Sequence, residues 1–369
     1  MRRPVLLILC LFVFTFSAFL SHAEEEDHNA LTLIDQQDRQ IECDAKAKHF
    51  DKRGYSCVTG TKSSEKYLPL LVEYNNENGG IEATAPEGIT KANVIYEYQT
   101  STNGAMGLCA IFQDELPSSV GPVGNASVGG LLIQNDWQCG YVYQAIPANT
   151  DGTVSELGYS IQNWIDSHDL TPGRALFPGD VSKTKAWMRH FRMDQELITD
   201  ENQFVDLKGI KDLAEDLSPR KAEFAFIADK KLKDYEGDVP VREIDIRSPS
   251  RPFSSAFIYD FEAEKYYRWV GVINQYGDVK ADEQLAVSNV IIQRVEYVTS
   301  NKLMAPVTIG RGNADIFLRG YYIDGYWVRE SEDTHTRFYD SEGHLLELAP
   351  GNTFISLLTN STSVVIDNY

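Results

Sequence analysis

The region 288–354 constrains the fold of this chain more than any other. It reads SNVIIQRVEYVTSNKLMAPVTIGRGNADIFLRGYYIDGYWVRESEDTHTRFYDSEGHLLELAPGNTF. Apolar or aromatic runs at 290–292, 314–318, 321–328 and 336–339 stand between polar stretches. Short runs rich in Val, Ile, Tyr, Phe and Trp, separated by Gly-bearing turns, mark antiparallel hairpins. Turns are expected at Gly310-Arg311-Gly312, at Asp324-Gly325 and at Ser341-Glu342-Gly343. Glycine takes positive φ without a steric cost, and aspartate tolerates it. The region therefore predicts a compact β-rich unit. It names no reaction by itself.

Upstream, strand-like runs at 67–74, 93–99, 107–113 and 141–144 are mixed with helical patterns at 128–134, 156–167 and 207–217. In the last of these, Leu207, Ile210, Leu213 and Leu217 share one side, and Ser218-Pro219 stops the pattern. A short strand is expected at 224–227. From Val239 the texture changes to strands at 241–246, 253–260 and 266–272. The joint is placed in the charged run KKLKDYEGDVP, residues 230–240. The expected fold class is α+β. A mixed α/β domain at 67–235 precedes a β-rich domain of antiparallel strands at 236–369. A chain of 369 residues with 43% apolar content can bury two cores.

Arg2 and Arg3, an apolar run over 5–20 and Ser21-His22-Ala23 read as a secretory leader, residues 1–23, cut after Ala23. An uncleaved anchor is the other reading, and the only membrane contact expected. Residues 24–66 form an N-terminal extension with helical potential over 31–50. Cys10 leaves with the leader, so Cys43, Cys57, Cys109 and Cys139 remain. An even cysteine count in an exported chain argues for disulfides. Three pairings are possible, with buried free thiols as the alternative. The preferred one is Cys43–Cys57, a short loop contributing roughly 3 kcal/mol, with Cys109–Cys139 linking two strands. Removing Arg2 and Arg3 leaves 32 of the 34 Lys and Arg against 54 Asp and Glu, a net charge of −22. That surplus repels phosphate backbones and anionic lipid, which argues against nucleic-acid binding. It serves solubility, or a site for a cationic wall component.

No histidine pair has zinc spacing, and the residues imply no metal and no cofactor. Gly121-Pro122-Val123-Gly124 follows a strand, but proline removes an N–H that a phosphate cradle needs. Glu97 lies inside the apolar run VIYEYQ. Alternation puts Val94, Tyr96 and Tyr98 on one face and Ile95, Glu97 and Gln99 on the other. A carboxylate near a buried sheet face needs a partner or a raised pKa. Glu97 is thus a ligand-contacting candidate or a structurally paired acid. Trp327, Arg319 and Arg337 have the aromatic and cationic character that suits sugars or anions, although a strand Trp is more often core.

With these residues in view, the chain resembles the YerB-like family, two-domain bacterial envelope proteins of unknown function, usually anchored as lipoproteins. The resemblance rests on PLLVEYNN, APEGITKANVIYEYQ, MGLCAIFQDELPSSVGPVGNAS and YVYQ in the N-terminal half. In the C-terminal half it rests on FIYDFEAEKYYRW, SNVIIQRVEY, TIGRGNADIFLRGYYIDGYWVRE and TRFYDSEGHLLELAPGNTF. By position, Tyr96-Glu97, Gln113, Gly121-Pro122-Val123, Trp327 and Arg337 match the family pattern. Two arginines of the family's Gly-Pro-Val-Arg-Ser-Ala-Arg are Gly124 and Ser127 here. Its His-Gly-Gly is Gln144-Ala145-Ile146, its Glu-His-Asn-Leu-Tyr region is at best Gln195 to Ile198, and the lipobox is missing.

The expected function is an extracytoplasmic protein that binds a cell-wall polymer or an envelope protein without catalysis. The alternative is an enzyme acting on envelope glycans or phospho-polymers. That alternative requires Glu97, Gln113, Arg189 and Glu196 to converge in one N-terminal pocket.

Overall fold

The computed structural model describes residues 68–75, 86–148, 156–180, 186–193, 203–211, 213, 224–227, 231, 236–237, 239–248, 254–271, 274–278, 281–300 and 303–368. The expected leader, the 24–66 extension, Cys43, Cys57 and Glu196 lie outside them.

The protein is mostly strands with few helices. In chain order the elements that matter are β1 (Leu70–Tyr74), β2 (Val94–Gln99), β3 (Met106–Phe112), α1 (Val128–Trp137), β4 (Gly140–Tyr143), α2 (Glu156–Ser167) and β5 (Leu176–Pro178). They are followed by β6 (Glu243–Arg247), β7 (Ser255–Asp260), β8 (Lys265–Val270), β9 (Asn289–Arg294), β10 (Gly310–Leu318), β11 (Tyr321–Arg329), β12 (Arg337–Asp340), β13 (Thr353–Leu358) and β14 (Ser363–Asp367). The 207–217 pattern forms a helix over Leu207–Lys211.

One eleven-stranded sheet takes strands from both ends of the chain, in the order β12-β11-β10-β9-β13-β2-β3-β1-β4-β5, with Val239–Pro240 added against β11. Its centre is β13, which pairs in parallel with β2 on one side and β9 on the other. Every residue of β13 is buried. The joint at 230–240 therefore divides the chain but not the sheet. Layers cover both faces. Leu131, Ile133 and Trp137 of α1 and Ile161 and Ile165 of α2 pack on one face with Leu71, Tyr96, Ile111 and Ile355. A six-stranded sheet containing β14-β6-β7-β8 packs on the other. There Ile244, Phe257 and Tyr266 meet Val72, Ile95, Phe112 and Phe354, and the Phe257 and Phe354 rings lie 5.0 Å apart. In β6 the alternation of buried Ile244 and Ile246 with Glu243, Asp245 and Arg247 is that of a strand with one covered face.

Two expected turns are corrected. Gly310-Arg311-Gly312 and Asp324-Gly325 both lie within strands, β10 and β11. The connection between those strands is Arg319-Gly320, both at positive φ, 56° and 80°. Gly325 is required for a different reason: a Cβ there would strike the Tyr339 carbonyl of β12 and the Ile316 side chain. The turn at Ser341–Gly343 is present, with Gly343 N–H donating to the Asp340 carbonyl.

A buried clasp fastens α1 to the far strands. The Arg329 side chain of β11 donates from Nη2 to Asn135 Oδ1 at 2.5 Å and places Nε 3.4 Å from Asp136 Oδ1. Asp136 also accepts from the Thr336 N–H at 3.0 Å and the Thr336 hydroxyl at 2.8 Å.

If β13 holds both ladders, Ile355→Ala should cost about 2–5 kcal/mol and loosen both at once. Hydrogen exchange should accelerate in β1–β3 and in β9–β11 of the same variant. Loosening confined to residues 289–358 would contradict this reading.

Candidate functional site

Two glutamates sit in apolar strands on opposite faces of the sheet. Glu97 of β2 faces the smaller sheet. Its Oε1 accepts a hydrogen bond from Arg268 Nη2 of β8, and both side chains are nearly fully buried. The Arg268 guanidinium lies over Tyr276 at 4.4 Å and Phe354 at 4.6 Å from the ring centroids. Glu97 is thus the structurally paired acid, with its cation stacked between two rings.

Glu73 of β1 faces α1. Its partners are uncharged. Tyr98 Oη donates to Oε1, Tyr141 Oη donates to Oε2 at 2.6 Å, and Ser127 Oγ lies 3.3 Å from Oε2. Ser127 caps α1 with extended backbone, accepting from the Gly130 N–H at 2.8 Å. Small residues make the close approach possible. A Cβ on Gly130 would collide with Glu73 Oε2 and Tyr141 Oη, and one on Gly107 or Gly129 would collide with the Tyr98 ring. Burial raises the Glu73 carboxyl from the usual 4.5 to about 7, against the lowering effect of the three hydroxyls. Burial and then the Glu73 charge hold Tyr98 and Tyr141 well above 10.

This network forms one wall of a cleft of about 290 Å³. Thr100, Ser101, Ala105, Met106, Asn125, Pro147, Leu303 and Met304 are among the rest, and Glu73 is the only charged residue among the described residues of the lining. A second cleft, of about 350 Å³, mixes Glu87, Lys91, Glu115, Lys208 and Asp278. Its buried Asp278 is committed to the N–H groups of Gly88 and Ala281. The first cleft is the better candidate.

The sequence-predicted residues do not gather there. Gln113 is buried just past β3, its N–H donating to Asn93 Oδ1 at 2.6 Å. Arg189 is exposed on a 3-10 turn and donates to His190 Nε2. Trp327 is core, with Nε1 donating to the Arg294 carbonyl at 2.8 Å. Arg337 is half-buried on β12, opposite Val328. None of these, nor Glu97, lines the cleft. The expected Cys109–Cys139 disulfide is also corrected: both are free, buried thiols. Cys109 lies on β3 and Cys139 leads into β4, and β1 runs between those strands. Strands two apart are separated by roughly 9–10 Å, beyond the reach of a bridge. Glu73 was legible by the rule applied to Glu97, an acid inside an apolar strand, LLVEY. Its hydroxyl partners were not, since they come from three separate segments.

Two outcomes follow. Glu97→Ala should cost about 3–5 kcal/mol by stranding Arg268, and Glu97→Leu with Arg268→Met should cost less than either single change. Additive single and double values would contradict the pairing. For Glu73, the native state keeps a proton that the unfolded chain releases between pH 4.5 and about 7. Its contribution is therefore full below 4.5 and lost as pH rises through 7, on the order of 3 kcal/mol in all. Urea midpoints at pH 5 and pH 8 should show this loss in the wild type, and Glu73→Gln should lack it.

With that geometry in place, comparison with known proteins is informative about family. The chain matches family models described as the N-terminal domain and the C-terminal domain of a protein of unknown function, DUF3048, over residues 58–217 and 244–355. No curated protein matches it. Among solved structures, the crystal structure of YerB protein from Bacillus subtilis is similar. It has a TM-score of 0.65 and 17% identity, over 84% of this chain and 99% of that one. At that identity the likeness concerns the fold. The two domain matches, in order and spanning most of the described strands, show that this chain belongs to the DUF3048 family, to which the YerB-like resemblance pointed.

Proposed function

We propose that this protein is exported to the bacterial envelope and binds an uncharged, hydroxyl-rich segment of a cell-wall polymer in the cleft beside Glu73. The observation that carries this reading is the lining: hydroxyls of Ser101, Thr100 and Ser127, apolar surface from Met106, Leu303 and Met304, and no cationic side chain among the described residues. Such a cleft suits neutral sugar-like groups and disfavours phosphate. Export is supported by the leader pattern of residues 1–23, with the mature chain starting at Glu24. The smaller helical lobe, with α1 and α2, supports the division into an N-terminal α/β unit and a β-rich C-terminal unit acting as one body across the shared sheet.

The reading as an enzyme on envelope glycans or phospho-polymers is favoured by one observation, the Glu73 carboxyl at about 7 in a cleft. Glycosidic cleavage needs two carboxyl groups flanking the bond, and Glu73 is the only one among the described residues of the lining. Among those residues phospho-polymer chemistry also finds no cation.

Retention on purified cell wall tests the binding reading. The mature chain should be retained, and Ala105→Trp, which puts a large side chain into the lining, should reduce retention at least tenfold. No retention of the wild type, or equal retention of the variant, would remove this cleft as the binding site.

A further inference from the structure

The network around Glu73 has a direction. Tyr98 has one proton, and it goes to Glu73 Oε1. The Ser127 hydroxyl proton then has two acceptors on the way to that carboxylate, Tyr98 Oη at 2.7 Å and Glu73 Oε2 itself at 3.3 Å. The Ser127 N–H likewise donates to Tyr141 Oη, whose proton goes to Glu73 Oε2. Both routes start at Ser127 and end on one carboxylate. Helix capping uses the Ser127 oxygen only as an acceptor for Gly130. It does not require that the hydroxyl proton point inward along a relay. Ser127 is half-buried and lines the cleft.

We propose that Ser127 is a nucleophile for acyl transfer, relieved of its proton through Tyr98 by Glu73, and that the cleft takes an uncharged carboxylic ester with a short acyl group. This deepens the reading of the cleft as the ligand site and rests on it. Nucleophile, base and orienting group stand in hydrogen-bond sequence, the arrangement that activates serine elsewhere. Ser127 Oγ forms a bond to the ester carbonyl carbon while its proton passes to Tyr98 and the Tyr98 proton to Glu73. The first-turn N–H groups of Val128 and Gly129 have no intrahelical acceptor and suit the developing oxyanion. The carbon–oxygen bond to the alcohol breaks, and the proton returns from Glu73 through Tyr98 to that alkoxide. Water then attacks the Ser127 ester and gives its proton to the same relay, which releases the carboxylic acid and restores Ser127. Among the described residues the lining offers a charged phosphoester no cationic side chain, which favours a neutral ester.

The groups facing Glu73 are Tyr98, Cys109 opposite it on β3, Tyr141 and Ser127. Burial keeps both tyrosines and Cys109 neutral well above pH 7. Reactivity should thus rise with pH as Glu73 itself ionises near 7. The test is treatment of the full chain with a fluorophosphonate, with the adduct located by peptide mass mapping. The expected result is labelling at Ser127, slowed at least tenfold in Tyr98→Phe. Its rise between pH 6 and 8 should be lost in Glu73→Gln. p-Nitrophenyl acetate should leave an acetyl group on Ser127, and p-nitrophenyl phosphate should leave nothing. No adduct at Ser127 in the wild type, or an unchanged pH profile in Glu73→Gln, would overturn the proposal. Wall retention without any adduct would remove this proposal and leave the binding reading standing.

Discussion

The parallel pairing of Thr353–Leu358 with two strands distant in sequence is the constraint on which the rest depends. β13 lies between β2 and β9, about 255 and 60 residues upstream by number, and is buried on both faces. Parallel strands need long connections, and sheets that contain them are covered on both sides. β13 meets both conditions. It sends Phe354 toward the smaller sheet and Ile355 toward the helical layer. It also sets Ser356 opposite Glu97, on the side where Arg268 arrives. The chain then leaves β13 and adds β14 to the smaller sheet, so the C-terminal segment joins the two sheets covalently. An ordering defect in these last residues reaches nearly every layer.

That arrangement gives two similar sequences different chemistry. LLVEY and VIYEYQ each place one glutamate in an apolar strand. One strand, β3, lies between the strands that carry them, pairing β1 on one side and β2 on the other. Glu73 shares a row with Cys109 and Tyr96, and Glu97 shares one with Leu108 and Tyr74. Alternation does the remainder, turning one carboxylate toward the smaller sheet, which supplies arginine, and the other to the face where two sheet tyrosines and the cap of α1 supply hydroxyls. A buried carboxylate with a cation beside it can remain charged. One held by neutral donors alone meets a desolvation penalty that hydroxyl bonds offset only in part.

Much of the local structure could be read from residues. The faces of VIYEYQ, the helix at 156–167 and the strands of the C-terminal half follow from period alone. What could not be read was non-local. The strand at 353–358 carries no alternation, because both faces are covered, and it was seen only as the end of a hairpin region. Asp324-Gly325 carries the chemistry of a turn, yet Gly325 answers to a neighbouring backbone across the sheet. Cys109 and Cys139 looked like partners because both lead strands that are close in sequence. The strand between them, β1, comes from earlier in the chain. The resemblance to YerB-like proteins supplied family membership. It also matched by position Glu97, Trp327 and Arg337, already singled out from their own chemistry, and Gln113, all of which the structure spreads through core and surface.

The region around Glu73 departs from what stability alone would select in several ways at once. Gly129 and Gly130 open a helix where alanine would be better by about 1 kcal/mol each. A carboxyl is buried where leucine would fit the apolar strand pattern. Ser127 stands where the YerB-like pattern has an arginine, and Glu73 meets only uncharged donors among the described residues. Local rules broken together at one place, with their compensation found in the same place, are what the proposed site would require. Each departure serves the same geometry: the glycines admit the Tyr98 ring and the Glu73 oxygen, and the missing cation leaves the carboxyl able to gain and lose a proton near neutrality. A purely structural acid needs none of these, as Glu97 demonstrates in the same sheet.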